Sequence, residues 1–153
     1  MERTQRLLRD LVAINSINPL LVPGAPGEAD AAECLATCLR ESGLDVTVSE
    51  VVPGRPNVVG VLDGTQPGPT LLLCGHLDTV GVEGMDDPFT PVERDGRLYG
   101  RGTQDMKGGL AACVGAARLL AAEGLAKGRV LVAGVVDEEF ASLGAEALVR
   151  DWR

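Results

Sequence analysis

An α/β fold is what this sequence predicts, and three observations lead there. Stretches with apolar residues at helical spacing are interspersed with short runs rich in valine and leucine. One of those runs, 129–136, is apolar almost without interruption, as a strand buried on both faces would be. The 153 residues are 45% hydrophobic but only 3% aromatic, so Ala, Val, Leu and Gly carry the packing of small-residue helices on buried strands.

Taken in order, residues 2–14 read as a helix with Leu7, Leu8, Leu11 and Val12 on one face. It stops at Asn15-Ser16, and Asn18-Pro19 opens a Pro- and Gly-rich loop that runs to Gly27. A second helix, 28–41, turns Ala31, Leu35, Cys38 and Leu39 one way and ends at Ser42-Gly43, with glycine where helices commonly stop. Residues 45–51 alternate as a strand does. Residues 57–62 and 70–74 are further strands, and the Asp63-Gly64 and Pro/Gly turn between them suggests a hairpin. The stretch 79–101 has no helical period and is a long loop of the kind that carries function, with a small hairpin at 92–98 turned by Asp95-Gly96. A third helix, 107–123, lines up Leu110, Cys113, Val114, Ala117 and Leu120 before Gly124 and Gly128. The buried strand 129–136 and a closing helix, 142–150, follow. There is neither an internal repeat nor an interdomain linker.

Fourteen basic against 22 acidic residues give a net charge of −8, which repels nucleic acid and anionic membrane and excludes both as partners. No segment approaches the ~20 apolar residues of a membrane span, and the N-terminus has no apolar signal core. Cys34, Cys38, Cys74 and Cys113 fit neither a disulfide framework nor a zinc pair, and read as reduced, buried thiols of a soluble cytoplasmic protein.

Three segments carry chemistry. His76, the only histidine, stands in Gly75-His76-Leu77-Asp78-Thr79 directly after an apolar strand. If the strand persists, His76 and Asp78 point the same way, so one ring nitrogen can bind a metal while Asp78 accepts the proton of the other, unless this is a lone surface histidine beside a turn aspartate. Asp105 lies in the glycine-rich Gly100-Arg101-Gly102-Thr103-Gln104-Asp105-Met106-Lys107-Gly108-Gly109 that opens the third helix, where it is either a ligand or a helix cap. The spacing matches neither the P-loop nor the dinucleotide fingerprint. Asp137-Glu138-Glu139 ends the buried strand, where crowded carboxylates need a cation or proton to compensate them unless they are simply solvated.

In this order the segments closely resemble the metallohydrolase family that includes aminoacylase, acetylornithine deacetylase, succinyl-diaminopimelate desuccinylase and carboxypeptidase G. The likeness runs from Leu11-Val12-Ala13-Ile14-Asn15-Ser16 through Asp87-Pro88-Phe89 to Gly144. It implies a zinc-exopeptidase-like fold, a mostly parallel sheet in three layers with helices on both faces. It implies a metal-dependent hydrolase of amide bonds in N-acyl amino acids or small peptides, a deacylase or exopeptidase. In that reading His76 binds one metal with Asp78 behind it, Asp105 bridges two metals about 3.5–4 Å apart, and Glu139 binds the second. Glu138 is the general base that takes a proton from the attacking water and passes it to the leaving amine. Two zinc ions fill the full site, with cobalt or manganese as substitutes. The resemblance also implies that the Asp105-Met106 peptide is cis.

The same resemblance calls for a further acid, a second histidine and an inserted dimerisation domain, none of which is present. Residues 1–153 therefore read as the N-terminal part of a catalytic domain that breaks off at Arg153, whose full-length form is a homodimer. The alternative is a truncated, catalytically inactive metal-site domain.

Overall fold

The computed structural model describes residues 2–152; Met1 and Arg153, where the sequence reading expects the domain to break off, lie outside them. The elements are α1 (Glu2–Ala13), α2 (Ala29–Glu41), β1 (Asp45–Val52), β2 (Arg55–Asp63), β3 (Gln66–His76), β4 (Val92–Arg94), β5 (Arg97–Tyr99), α3 (Gly108–Glu123), β6 (Lys127–Val135) and α4 (Leu143–Asp151). Each element expected from the sequence is present, with ends shifted by a few residues. The small hairpin forms as expected, β4 against β5, with Asp95 and Gly96 both at positive φ in the turn.

The main sheet has the order β1-β2-β6-β3. β6 is its spine. Along β6 and just beyond it, Val132 and Val136 join one core with Leu7 and Leu11 of α1, Leu35 and Leu39 of α2, and Leu110 and Val114 of α3. Leu131, Ala133 and Val135 face the opposite way, into a smaller core with Val59 and with Leu148 of α4. Helices thus cover both faces, three on one side and one on the other. Alternation along a single strand fixes this arrangement, because successive side chains point to opposite faces.

The expected mostly parallel sheet is corrected to a mixed one. β3 and β6 run parallel, whereas β1–β2 and β2–β6 are antiparallel. The cause is connection length. Only Pro53 and Gly54 separate β1 from β2, and a two-residue turn can join only antiparallel strands. β3 reaches β6 through the long loop and α3, a crossover long enough for parallel pairing. The expected hairpin between the second and third strands is also absent, because β6 lies between them. Apolar on both faces, β6 takes the inner place, while β3, exposed along most of its length, is left at the edge.

The edge position corrects the reading of the cysteines as well. All four are free, but Cys74 is exposed on β3 and the other three are only half-buried. Leu71 and Leu72 are exposed beside it. A long edge strand with apolar side chains in water pairs readily with another copy of itself. Purified chain should therefore self-associate with rising concentration in sedimentation velocity. Leu72→Lys should shift it toward monomer and leave the melting temperature nearly unchanged.

Candidate metal centre

β3 and β6 run side by side in the same direction, with His76 opposite Val135, so both strands end at one edge of the sheet. Ligands in open α/β sheets gather at that edge. β3 delivers His76 and Asp78 there; the chain leaving β6 delivers Asp137, Glu138 and Glu139. Asp105 arrives in a kinked turn, 103–107, in which Asp105 and Met106 abandon helical backbone angles and are joined by a cis peptide. Gly75 lets this turn come close: a Cβ there would lie 2.8 Å from Met106 Cε and 3.0 Å from Leu110. Lys107, fully buried, anchors the far end of the turn by donating from Nζ to the carbonyls of Leu11 and Ile14, both at 2.8 Å. Burial pushes its ammonium down to about 8.

The donor atoms of His76, Asp105 and Glu139 lie within 4.8 Å of one another. Glu138 Oε2 is 3.7 Å from His76 Nε2. The five residues singled out in the sequence therefore meet at one place. His76 and Asp78 are buried, while the Asp105 and Glu138 side chains are 75% and 51% exposed, so the group opens to solvent on one side. Asp105 serves as no helix cap: α3 begins without a side-chain cap, and the Asp105 carboxylate turns to His76 instead.

The hydrogen on His76 settles what that contact needs. Nδ1 is 2.9 Å from the Asp78 backbone carbonyl, an acceptor only, so Nδ1 carries the hydrogen and donates it. Asp78 Oδ1 is farther, at 3.5 Å, so the carbonyl rather than the carboxylate is the nearer acceptor. Nε2 then points a lone pair at Asp105 Oδ1, 3.0 Å away. Two electron-rich atoms at that distance require a proton or a cation between them. The protonation equilibrium shows the same pressure: burial opposes charge on His76, but its hydrogen bonds with Asp78 and Asp105 outweigh burial and raise it from 6.5 to about 9. Burial raises Glu139 too; His76 works against this, and the neighbouring Asp105, Asp78 and Glu138 add to it.

Asp78 does something the sequence reading did not assign. Its carboxylate accepts from the backbone amides of Glu138 and Glu139, both at 3.1 Å, and from Asn18 Nδ2 at 2.7 Å. Burial works against its charge, but the His76 ring, Asn18 and the two amides hold its carboxyl below the ordinary value. Behind it lies a buried network the sequence did not reveal. Arg55 donates from Nε and Nη2 to the two oxygens of Glu28, at 2.7 and 2.6 Å, and from Nη2 to Asp137 Oδ1 at 3.0 Å. Asn57 spans the end of β6, taking the Val136 amide and giving to the Gly144 carbonyl. The sequence marked these positions only as ordinary structure, Asn18-Pro19 as the opening of a loop and Asn57 as the first residue of a strand.

Residues 72–153 match the model of the peptidase family M20/M25/M40. The chain belongs to that family. It is 35% identical over 153 residues to an N-formyl-4-amino-5-aminomethyl-2-methylpyrimidine deformylase of Halalkalibacterium halodurans, covering 95% of this chain and 35% of the relative. It is 38% identical over 144 residues to an acetylornithine deacetylase of Photorhabdus laumondii, covering 91% and 37%. Among solved structures it matches human carnosine dipeptidase 1 with a TM-score of 0.77 at 25% identity, covering 97% and 34%. The chain spans about a third of the length of these relatives.

The raised value of His76 gives a stability prediction with a definite sign. A group whose folded value is raised stabilises the fold fully below its ordinary value, and that contribution is lost as pH rises through the folded value. In the presence of a chelator, the melting temperature should fall between pH 6.5 and about 9. His76→Gln should flatten that fall; an unchanged slope in the variant would assign it to other groups.

Proposed function

We propose that this chain carries the metal-binding part of a two-metal amide hydrolase, acting on N-acyl amino acids or small peptides. The observation that carries the reading is the facing pair of His76 Nε2 and Asp105 Oδ1, with Glu139 completing a group of three donors. Imidazole nitrogen and carboxylate oxygens suit zinc, with cobalt or manganese as substitutes. His76 would hold one ion, Glu139 the other, and Asp105, with two oxygens and an exposed carboxylate, would reach both.

The bound ions would act as Lewis acids that polarise an amide carbonyl and make water acidic at neutral pH. Glu138 would do the proton work. Its carboxylate stands beside the three donors, with its backbone amide tied to Asp78. As the water oxygen bonds to the carbonyl carbon, Glu138 takes the proton; as the carbon–nitrogen bond breaks, it returns that proton to the amine. Asp78 would keep the His76 tautomer that leaves Nε2 free. Substrates with N-acyl or peptide bonds fit the relatives, one named as a deformylase, one as a deacetylase and one as a dipeptidase. Four free thiols fit a reducing compartment such as the cytoplasm. Among the described residues no helix is long and apolar enough to cross a membrane.

Three protein donors shared between two cations leave coordination loose, and a loosely held ion activates water poorly. The purified chain should bind Co2+ at this group, and binding should fall roughly tenfold or more in Asp105→Asn. The chain alone should hydrolyse N-acetyl and N-succinyl amino acids negligibly, as an inactive metal-site domain would. Substantial turnover that vanishes in Glu138→Ala would show that the donors present are enough for catalysis.

A further inference from the structure

Asn18 sits at the centre of the buried polar network and forms no hydrogen bond with the three proposed metal donors or with Glu138, only with Asp78 and Asp137 behind them. Its side chain is fully buried, as are Asp78 and Asp137. Nδ2 donates to Asp78 Oδ2 at 2.7 Å and to Asp137 Oδ1 at 3.0 Å. Each of its two hydrogens thus serves a different carboxylate. The orientation of the amide is fixed from the other end, because Oδ1 accepts the Leu20 backbone amide at 3.0 Å. The backbone of Asn18 is fixed too, its amide donating to the Thr79 carbonyl at 2.9 Å.

The two carboxylates it joins belong to the two halves of the site. Asp78 follows His76, whose ring donates to the Asp78 carbonyl. Asp137 begins the acidic turn that carries Glu138 and Glu139, and it sits at a positive φ of 64°, which a residue other than glycine holds only under constraint. Asp137 Oδ2 is buried with no partner among the described residues, so Asn18 and Arg55 supply the hydrogen bonds its carboxylate receives. Two buried carboxylates would repel one another; a neutral amide with one hydrogen for each holds them together without adding charge.

We propose that Asn18 is a positioning residue: by bridging Asp78 and Asp137 it sets the acidic turn at 138–139 against the His76 ring, and so fixes the spacing of the three donors. This rests on the metal-site reading above for its consequence, but the bridge itself can be tested without any metal. Shape alone is not enough. Asn18→Asp keeps the size and the acceptor for Leu20, but replaces both donated hydrogens with a third carboxylate oxygen.

The test compares wild type, Asn18→Ala and Asn18→Asp by amide hydrogen exchange and by Co2+ titration followed through its visible absorption. Exchange at the Glu138 and Glu139 amides should speed up roughly tenfold or more beyond the change at Val132 and Ala133 in β6. Co2+ affinity should drop by about 10–100-fold, the usual cost of losing a partner behind a ligand, with a changed absorption spectrum. If Asn18→Asp matches wild type, or if all amides speed up by one common factor, Asn18 is merely structural and the proposal is overturned. If Asn18→Asp does not fold, Asn18→Ser carries the same comparison. If wild type binds no Co2+, the metal-site reading fails, while exchange at 138 and 139 still decides the bridge.

Discussion

Negative charge gathered where β3 and β6 end has to be compensated, and the surrounding fold is arranged by the ways in which that is done. Glu28, Asp78 and Asp137 are wholly buried there. Burying a carboxylate without partners costs several kcal/mol, so each must be paired or densely hydrogen-bonded. Glu28 and Asp137 share the Arg55 guanidinium; Asp78 draws on Asn18 and two backbone amides. At the open side of the same group, the Asp105 carboxylate faces the His76 ring and Glu139 stands within 4.8 Å of both, and there the compensation is left to a proton or a cation. The closed half, Asp137 Oδ2 apart, is hydrogen-bonded internally, and those bonds hold the open half in place.

This division explains why the strand directions matter. β2 runs antiparallel to β6, so its first residues lie beside the last residues of β6. Arg55 thereby reaches Asp137, and Asn57 the Val136 amide just before it; in a parallel β2 they would sit at the opposite end of the sheet. β3 runs parallel to β6, and so His76 and the acids emerge together. The mixed sheet brings two kinds of residue to one edge: His76 and the acids that follow the strand ends, and, from the beginning of β2, the Arg55 cation and the Asn57 amide.

Much of this was legible in the sequence. Helical periodicity located α1, α2 and α3, and the apolar run at 129–136 located β6, because burial of one face or two leaves a direct trace in hydropathy. His76, Asp105 and Glu139 stood out because ligand-type residues followed apolar strands or opened a glycine-rich turn. Strand order was not legible: a turn between the second and third strands looks the same whether they pair or make room for β6. The network behind the site was equally hidden. Asn18, Glu28 and Arg55 lie in loops or at element ends, where polar residues are ordinary, and only the folded chain shows that they are buried together. Asp137 was visible as one of three acids, but its partners were not.

The central claim is that His76 Nε2, Asp105 and Glu139 hold metal together, and diffraction at the zinc absorption edge tests it most directly. Crystals grown with Zn2+ should show an anomalous peak within ligand distance, about 2.0–2.2 Å, of His76 Nε2 and of a carboxylate oxygen from Asp105 or Glu139. A peak elsewhere on the chain, or a His76 ring that keeps its contact with Asp105 in the presence of saturating zinc, would contradict it.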